Sequence, residues 1–437
     1  MSETTTRSLW HATVDPNAAI YDESARTSAL ADVAVDVVVI GAGISGTAIA
    51  YHFAKTYAND WSVAVLDACE PGRGATGRNG GHCWPSPIEK DPAELNMIRL
   101  ETFQLTKAAI EEHKIDCEFR VNGGLMLCQS ESAAKEEQQW IDHLAKHPLL
   151  KDFGLEFWPA ARIQALYPQL STRHFGAVFE PNVASLHPIK LLDGLWRAIR
   201  ELAGPRIQLH CRALVTSVEA DGERGFRVVT SRGTVRAAKV IYATNAYTRI
   251  LLPQLFHSVM PLRGQVVVTA PLPASFPEHN FSCNEREENL DYAIKRVPTN
   301  ELVYGGASDY SRLAEFGLNR LEDDVLDSDV AVGLRKEVKA LVGDVSFTRE
   351  WTGVMAWTLD ERALVGELPR APRRSQNLKK PLPLASTGSN EFVCVGHCGD
   401  GMASCFAEAR RLVGAIVTGD WSLIPAELNP QRFIGTT

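Results

Sequence analysis

The first strong pattern along the chain is a short apolar run followed by a glycine-rich turn. Val37 to Ile40 predict a buried parallel strand, Gly41-Ala-Gly43-Ile-Ser-Gly46 the turn, and Ile44 to Lys55 the helix after it. Ser62 to Leu66 predict a second strand, which ends at Asp67. Strand, glycine turn, helix, strand and acid follow one another in the order of a dinucleotide-binding unit.

Each glycine in this turn has a distinct use. Gly41 permits the tight turn, Gly43 lets a pyrophosphate approach the main chain, and Gly46 lets the helix pack on the strand. Asp67 stands roughly 20 residues further on, where a carboxylate can accept hydrogen bonds from a ribose. This unit alone fits NAD and FAD equally well.

The rest of the chain alternates between helical and strand patterns. A helical pattern, two short strands and a charged helix occupy residues 92–147, which interrupts the nucleotide unit and starts a second domain. The helix that follows His187-Pro188 runs to Leu202. Leu191, Leu192, Leu195, Ile199 and Leu202 are expected on its apolar side. The remaining predictions are strands within 206–243 and 257–310, and a helix over 321–341.

Two further glycine-rich segments narrow the choice of cofactor. Residues 71–82 are dense in glycine, which suits backbone that lies against a flat or charged ligand. Near the C-terminus a strand (391–395), a glycine turn (396–401) and a helix (402–417) repeat the first arrangement. A second helix N-terminus can direct its positive end at the flavin O2 and N1 region, so FAD fits better than NAD.

Composition and charge exclude several classes. The 437 residues are 45% hydrophobic and 22% charged with a net charge of -8, as in soluble globular proteins of two domains. An acidic chain argues against nucleic acid or an anionic membrane as partner. Residues 1–32 lack signal-peptide features, and nine scattered cysteines favour a reducing, cytoplasmic location without a readable metal site.

Taken together, the motifs resemble a known family. Asp36 to Gly46, Gly74-Ala-Thr-Gly-Arg-Asn-Gly-Gly81, Ala243-Thr-Asn245, Pro261 to Gln265, Trp351-Thr-Gly with Asp360, and Gly396 to Met402 resemble the FAD-dependent amine and amino-acid oxidases of the D-amino-acid oxidase superfamily. The Gly-Arg-Asn-Gly-Gly string and the arm with Trp10 are most similar to the gamma-glutamylputrescine oxidase branch.

The resemblance implies an α/β fold, α+β overall. A glutathione-reductase-type FAD-binding Rossmann domain is interleaved with a mostly antiparallel β substrate-binding domain, and the active site lies between them. After an N-terminal arm (1–32), the FAD-binding domain would comprise 33–90, 185–256 and 345–425. The substrate-binding domain would comprise 91–184 and 257–344.

The resemblance also implies the cofactor-binding residues. They lie in the two glycine turns, the acid segment, the glycine-rich loop, an adenine contact and the 243–245 segment: Gly41, Gly43, Ile44, Ser45, Gly46, Asp67, Ala68, Thr76, Arg78, Asn79, Gly80, Gly81, His82, Val215, Ala243, Thr244, Asn245, Gly399, Asp400, Gly401 and Met402. No metal ligand is implied.

Three positions depart from the family pattern. Gly353 stands where a relative, monomeric sarcosine oxidase, carries the cysteine that holds its flavin, which excludes attachment there. His82 replaces a common glutamine and is either a polar flavin contact or a histidyl linkage. Val303 occupies the position of the oxygen-activating lysine, with Lys295 as a weak substitute.

The implied chemistry is oxidation of a C–N bond. Hydride passes from the carbon of an amine or amino acid to flavin N5, the imine hydrolyses, and O2 is the expected electron acceptor. Candidate substrate contacts are Tyr292, Lys295, Trp357 and Arg263, with His397 as a further polar candidate. The alternatives are a flavin-binding protein without turnover and a dehydrogenase with another acceptor, both motivated by the missing lysine.

Overall fold

A computed structural model describes seven ranges of the chain: 6–30, 33–168, 174–222, 225–283, 291–311, 321–369 and 388–433. Within them it has two large sheets and one small sheet, connected by helices. The strands are β1 (Val33–Ile40), β2 (Val63–Leu66), β3 (His82–Cys83), β4 (Arg120–Val121), β5 (Gly124–Leu127), β6 (Glu156–Pro159), β7 (Gly176–Glu180), β8 (Ala184–Ser185), β9 (Ile207–His210), β10 (Val215–Asp221), β11 (Gly225–Thr230), β12 (Gly233–Tyr242), β13 (Val259–Thr269), β14 (Asn280–Cys283), β15 (Asp291–Arg296), β16 (Glu301–Gly305), β17 (Phe347–Thr358), β18 (Leu364–Glu367) and β19 (Glu391–Val395).

Ten α-helices connect these strands within the described ranges. They are α1 (Leu9–Thr13), α2 (Glu23–Thr27), α3 (Ile44–Tyr57), α4 (Ala93–Glu112), α5 (Glu131–Leu144), α6 (Ala160–Leu166), α7 (Pro188–Ala203), α8 (Thr248–Leu251), α9 (Ser328–Val342) and α10 (Gly401–Thr418). None of the helices in the described ranges combines the length and the apolar character that a membrane crossing requires.

The first sheet has a parallel centre. β1 pairs in parallel with β2 and β12, β2 pairs with β9, and β12 pairs with β19. The four residues of β2 and the last four of β1 are buried because helices cover the sheet, which explains why these strands are continuous apolar runs. Since parallel strands end at the same edge, the first glycine turn, Asp67 and residues 243–245 lie side by side.

The second sheet is mostly antiparallel, in the order β17-β13-β16-β15-β14-β5-β7-β6. One of its faces packs on α9 through a cluster that includes Ala293, Leu302 and Leu334. We call the opposite face the inner face. It meets the glycine-rich loops of the first sheet and carries Gly124, Met126, Ser282, Tyr292, Gly305, Gly353, Met355 and Trp357.

The N-terminal arm docks through its aromatic residue. Trp10 is fully buried, and its Nε1 donates to the carbonyl oxygen of Asn79 at 2.8 Å. A Cβ on Gly81 would stand only 2.5 Å from the indole ring. The arm therefore fixes the glycine-rich loop from outside the first sheet.

Some expectations about the elements were wrong. The helix expected over 321–341 begins at Ser328, because Asp327 caps it by accepting from the Asp329 and Val330 amides. Residues 312–320 lie outside the described ranges. Leu202, expected on the apolar side of α7, is 36% exposed because it stands near the end of the helix.

One segment departs from the expected division into domains. We expected residues 345–425 in the FAD-binding domain, but β17 pairs along its length with β13 of the second sheet. Residues 391–395 do join the first sheet as β19. The domain boundaries as a whole stay a prediction.

Candidate cofactor and substrate site

The first glycine turn joins β1 to α3 in a backbone shape that needs glycine. Gly41 has φ +106°, and a Cβ there would lie 2.5 Å from the carbonyl oxygen of Ala243. A Cβ on Gly46 would lie 1.8 Å from the carbonyl oxygen of Gly41. The turn thus brings the N-terminus of α3 tightly against the edge of the sheet, where free amide groups can hold an anion.

Asp67 closes β2 beside this turn, as predicted. Its Oδ2 accepts from the Ala42 amide at 2.7 Å and its Oδ1 from the Cys69 amide at 2.8 Å. Burial raises the pKa of the carboxyl to about 6, although both amides favour the ionised form. Ala68 is exposed next to it.

The glycine-rich loop lies across the start of α3. Thr76 Oγ1 accepts from the Ile44 amide at 2.9 Å, and Asn79 Oδ1 accepts from the Gly81 amide at 2.8 Å. The Arg78 side chain turns the other way, because its guanidinium binds the Asp323 carboxylate at 2.9 Å and the Thr352 carbonyl oxygen at 2.7 Å. Arg78 can therefore face a cofactor chiefly through its backbone and its unpaired Nη2.

The second glycine turn lies at the same edge of the first sheet. Asn245 Oδ1 accepts from the Gly396 amide at 3.0 Å, which ties residues 243–245 to this turn. Asp400 precedes α10 and pairs with Arg99 at 2.5 Å. Gly399 is exposed, while Gly401 and Met402 are half-buried, so this helix N-terminus faces an open space.

Tyr292 and His82 meet where the inner face approaches the glycine-rich loop. Their ring centres are 4.8 Å apart at 71°, and a Cβ on Gly80 would lie 2.2 Å from the tyrosine ring. Burial lowers the pKa of His82 to about 4, so its imidazole is neutral at pH 7. Burial raises the pKa of Tyr292, which therefore stays a phenol.

Trp357 lies on the inner face at the second glycine turn. A Cβ on Gly399 would stand 3.1 Å from its ring. Met355 shares this face two residues earlier, is half-exposed, and was missed because a lone methionine carries no motif. Trp84 was also missed because it belongs to no motif. It packs over Gly124, and its ring centre is 5.9 Å from that of His82.

Lys295 and Arg263 lie on the opposite face, so their predicted substrate contacts are wrong. Lys295 Nζ donates to the carbonyl oxygens of Ala274 and Phe276, at 3.1 and 2.7 Å. Lys295 is three residues after Tyr292, and side chains alternate along a strand, so the two cannot share a face. Arg263 pairs with Val354 and so points away from the inner-face Gly353.

Sequence comparison identifies the group of proteins to which these features belong. Residues 36–414 match the family described as FAD dependent oxidoreductase (DAO). The chain belongs to this family. Gamma-glutamylputrescine oxidoreductase of Escherichia coli (strain K12) is 29% identical over 417 residues, which cover 91% of this chain and 87% of that protein.

Solved structures share the DAO-family fold. Glycine oxidase from Geobacillus kaustophilus superposes with a TM-score of 0.74 at 21% identity, covering 92% of this chain and all of that one. L-proline dehydrogenase from P. horikoshii also gives 0.74, at 18% identity, covering 92% and 98%. The predicted resemblance, the fold class and FAD as the cofactor are confirmed.

The residues of this DAO-family chain fit FAD. Two helix N-termini, at Ile44 and Gly401, face one edge of the sheet, and glycine keeps the backbone open at both turns. His82 Nδ1 is buried without a hydrogen-bond partner and lies beside the loop expected along the flavin. Such an atom is costly unless a bound group satisfies it.

The individual cofactor contacts stay predictions. Val215 is buried at the start of β10 in a cluster with Leu30 and Val38. Ala243 donates from its amide to the Ile40 carbonyl oxygen, and Thr244 Oγ1 lies 2.8 Å from Thr248 Oγ1. Ser45 Oγ lies 3.0 Å from His397 Nε2, which connects the first turn to the second.

Proposed function

We propose that this protein oxidises the C–N bond of an amine that has no carboxylate on the reacting carbon. The observation that carries the proposal is the uncharged wall of Tyr292 and His82, which stands beside the glycine-rich loop of a family that uses FAD. Bound FAD supplies the hydride acceptor, and the imine product is hydrolysed by water.

The side chains on the inner face position the amine and exclude water. Tyr292 and His82 form the wall at the glycine-rich loop, and Trp357 and Met355 line the second glycine turn. Aromatic faces attract an ammonium group on its way in. Neutral His82 can accept a hydrogen bond from the amine, whose lone pair must be free for oxidation.

The positions of three cations support a substrate whose reacting carbon carries no carboxylate. Lys295 and Arg263 are not on the inner face. Arg296 does share the face of Tyr292, but Glu118 holds its guanidinium with both carboxylate oxygens at 2.8 Å. An amino-acid carboxylate would find none of these three cations available. The name of the Escherichia coli relative, gamma-glutamylputrescine oxidoreductase, is consistent with an amine substrate.

The proposed electron acceptor is O2, with a dehydrogenase reaction as the second candidate. Val303, at the position of the family's lysine, is fully buried in an apolar cluster with Ile294 and supplies no charge there. The missing charge is the reason to keep a dehydrogenase as the second candidate. If no peroxide forms, a dehydrogenase or a protein without turnover is the better explanation.

One experiment tests both parts of the proposal. The purified holoprotein is mixed anaerobically with paired compounds, putrescine and its gamma-glutamyl derivative against N-methylglycine and D-alanine, and flavin bleaching is followed. Bleaching by the amines alone supports the proposal, while bleaching by the amino acids alone contradicts the substrate class. Readmission of air with a peroxide assay then separates an oxidase from a dehydrogenase, and no bleaching with any compound indicates lost turnover.

A further inference from the structure

Three buried side chains of different chemistry converge behind the second glycine turn. Cys394 is the second-last residue of β19, His397 lies in the turn, and Glu408 projects from α10. Their exposed fractions are 0, 8 and 3%. One ligand atom from each, a thiol sulfur, an imidazole nitrogen and a carboxylate oxygen, lies within 4.8 Å of the other two. We call these residues the Cys–His–Glu cluster.

The cluster has two polar atoms without a hydrogen-bond partner. His397 Nδ1 and Glu408 Oε2 are 3.0 Å apart, which is an ion pair when the imidazole is protonated. Their orientation nevertheless does not form a hydrogen bond, and each atom is buried without a hydrogen-bond partner. Burying two such atoms is costly. A cation placed between them would satisfy both.

The imidazole of His397 is fixed as a metal ligand requires. Its Nε2 is 3.0 Å from Ser45 Oγ on α3. If Nε2 donates to this hydroxyl, the proton is on Nε2 and Nδ1 carries the lone pair. Metal-binding histidines commonly use their second nitrogen in this way, which sets the tautomer and the ring orientation.

We propose that Cys394, His397 and Glu408 bind a divalent transition metal ion, with zinc as the preferred ion. Sulfur, imidazole nitrogen and carboxylate oxygen are the zinc ligands found in proteins. A thiolate and a carboxylate balance the two charges of the ion, so the site is neutral where it is buried. Binding releases the Cys394 thiol proton to solvent.

The surroundings provide the fourth position and a route of entry. A cavity reaches both His397 and Glu408 and is bordered by Arg99, Asp400 and Ser404. A water molecule from this cavity can complete a four-coordinate site. The Arg99 charge at its border is offset by Asp400 at 2.5 Å. Zinc–ligand bonds of about 2.0–2.3 Å place tetrahedral ligand atoms about 3.3–3.8 Å apart. The His397–Glu408 separation of 3.0 Å must therefore lengthen slightly, and any separation near the 4.8 Å limit of the cluster must shorten.

The sequence alone did not indicate this site. Cys394 and His397 have two residues between them, a spacing typical of zinc ligands, but Glu408 comes eleven positions later on a helix. A single cysteine with a histidine is too common to predict a metal. The fold supplies the missing information because β19, the turn and α10 meet at one point.

The proposed ion has a structural use. It would fasten the end of β19 and the second glycine turn to α10, which begins at the same turn. The N-terminus of α10 is then held in place toward the cofactor. The metal neither touches the substrate nor takes part in electron transfer, so metal content can be tested independently of amine oxidation.

The test is metal binding to the purified holoprotein. Zinc is removed with a chelator, Zn²⁺ alone is added back, free ion is removed by gel filtration, and bound zinc and FAD are measured per chain. We expect one zinc ion per chain in the wild type. Cys394→Ser and Glu408→Gln should lose it, and the control Cys211→Ser, a buried cysteine outside the cluster, should keep it.

A second measurement decides the matter if the variants fail to fold. Co²⁺ replaces zinc in the wild-type protein, and an intense thiolate-to-cobalt absorption band shows that a cysteine is a ligand. Failure of the wild type to retain either ion overturns the proposal. Zinc retention by folded Cys394→Ser equal to that of Cys211→Ser overturns it as well.

Discussion

Tyr292 contacts backbone on two sides, because glycine stands at both positions next to its ring. A Cβ on Gly80 would lie 2.2 Å from the ring, and one on Gly305 would lie 2.3 Å from it. Tyr292 therefore packs directly between the glycine-rich loop and strand β16. Backbone at the two glycines packs against the ring and leaves no space for other side chains there. The phenol group therefore has a defined location at the proposed substrate wall.

Replacement of Tyr292 by phenylalanine should change catalysis more than stability. The ring stays packed in Tyr292→Phe, but one polar contact to the substrate is lost, so kcat/KM for the amine should fall about tenfold, equivalent to about 1.4 kcal/mol. The FAD content should not change. Steady-state kinetics with putrescine derivatives measure the effect.

The comparison for this prediction is Lys295→Met on the same strand. Lys295 binds two carbonyl oxygens on the opposite face, so its loss should lower the free energy of unfolding by about 1–3 kcal/mol and leave KM unchanged. If Lys295→Met raised KM while Tyr292→Phe did not, the assignment of the two faces would be wrong.

At this scale, the sequence predicts the residues that a motif fixes and misses those that only packing fixes. Asp67 lies beside the glycine turn as its spacing indicates. Tyr292 and Lys295 were expected on one face, although alternation along a strand already contradicts that expectation. The positions of Met355 and Trp84 beside the site could not be predicted from the sequence, because the pairing of distant strands places them.

At the scale of elements, two helix N-termini meet at one edge of the first sheet. α3 begins at Ile44 and α10 at Gly401, and a contact between Ser45 and His397 connects them. Each helix contributes a partial positive charge at its start. A long anionic cofactor can therefore be held at both of its polar ends.

The first of these turns should not accept a side chain. In Gly41→Ala the new Cβ would lie 2.5 Å from the Ala243 carbonyl oxygen, at a φ of +106° that alanine disfavours. We expect at least a roughly tenfold weaker FAD affinity, or about 1.4 kcal/mol, measured by flavin fluorescence on dilution. Gly414→Ala, within α10 and close only to the flexible Leu423 side chain, should retain FAD. Equal affinities for the two variants would contradict the proposed turn.

A second prediction at this scale concerns the ion pair that connects β15 to the segment before β4. Arg296 and Lys190 outweigh the effect of burial and hold the pKa of Glu118 at about 2. This carboxyl has a lower pKa when folded than unfolded, so its stabilisation is complete above about pH 5 and is lost as the pH falls toward 2. We expect the free energy of unfolding of Glu118→Gln to be about 2 kcal/mol lower than that of the wild type at pH 7.

Urea denaturation of both proteins across this pH range measures the difference. The gap between the wild type and Glu118→Gln should narrow steadily below about pH 4. Glu219→Gln, whose carboxylate pairs with Arg227 on the exposed surface, should show a much smaller gap at pH 7. A constant gap for Glu118→Gln down to the lowest pH at which the protein folds would show that the pair does not hold its pKa low.

Elements were predicted well where the apolar pattern was continuous. β19 has the expected bounds, and α3 and α10 begin within one residue of the prediction. The helix expected from 321 was placed too early, because the charged residues before Asp327 are compatible with a helical pattern and the capping side chain decides the start. Strand pairing, such as that of β17 with β13, depends on contacts between distant residues and has no local signal.

At the scale of the whole molecule, distant parts of the chain meet around one site. The arm at Trp10 contacts the loop at Gly81, and β19, near the C-terminus, pairs with β12 of the first sheet. The inner face of the second sheet closes the other side. The resemblance to a family predicted this interleaving, whereas hydrophobic periodicity alone could not, since it does not record which strands become neighbours.

The arm should therefore control both stability and retention of the cofactor. Trp10→Ala removes a fully buried indole that packs on Gly81 and donates to the Asn79 carbonyl oxygen. The free energy of unfolding should therefore fall by about 3–5 kcal/mol, and FAD should dissociate faster. Trp421→Ala, a control in which the lost ring stacks on Phe392 away from this loop, should lower stability without faster FAD release. Thermal unfolding and flavin fluorescence after dilution measure the two effects separately. The arm touches the loop, and the loop is expected along the cofactor. If the two variants had equal stability and released FAD at equal rates, the arm would stabilise the fold and have no separate effect on the cofactor.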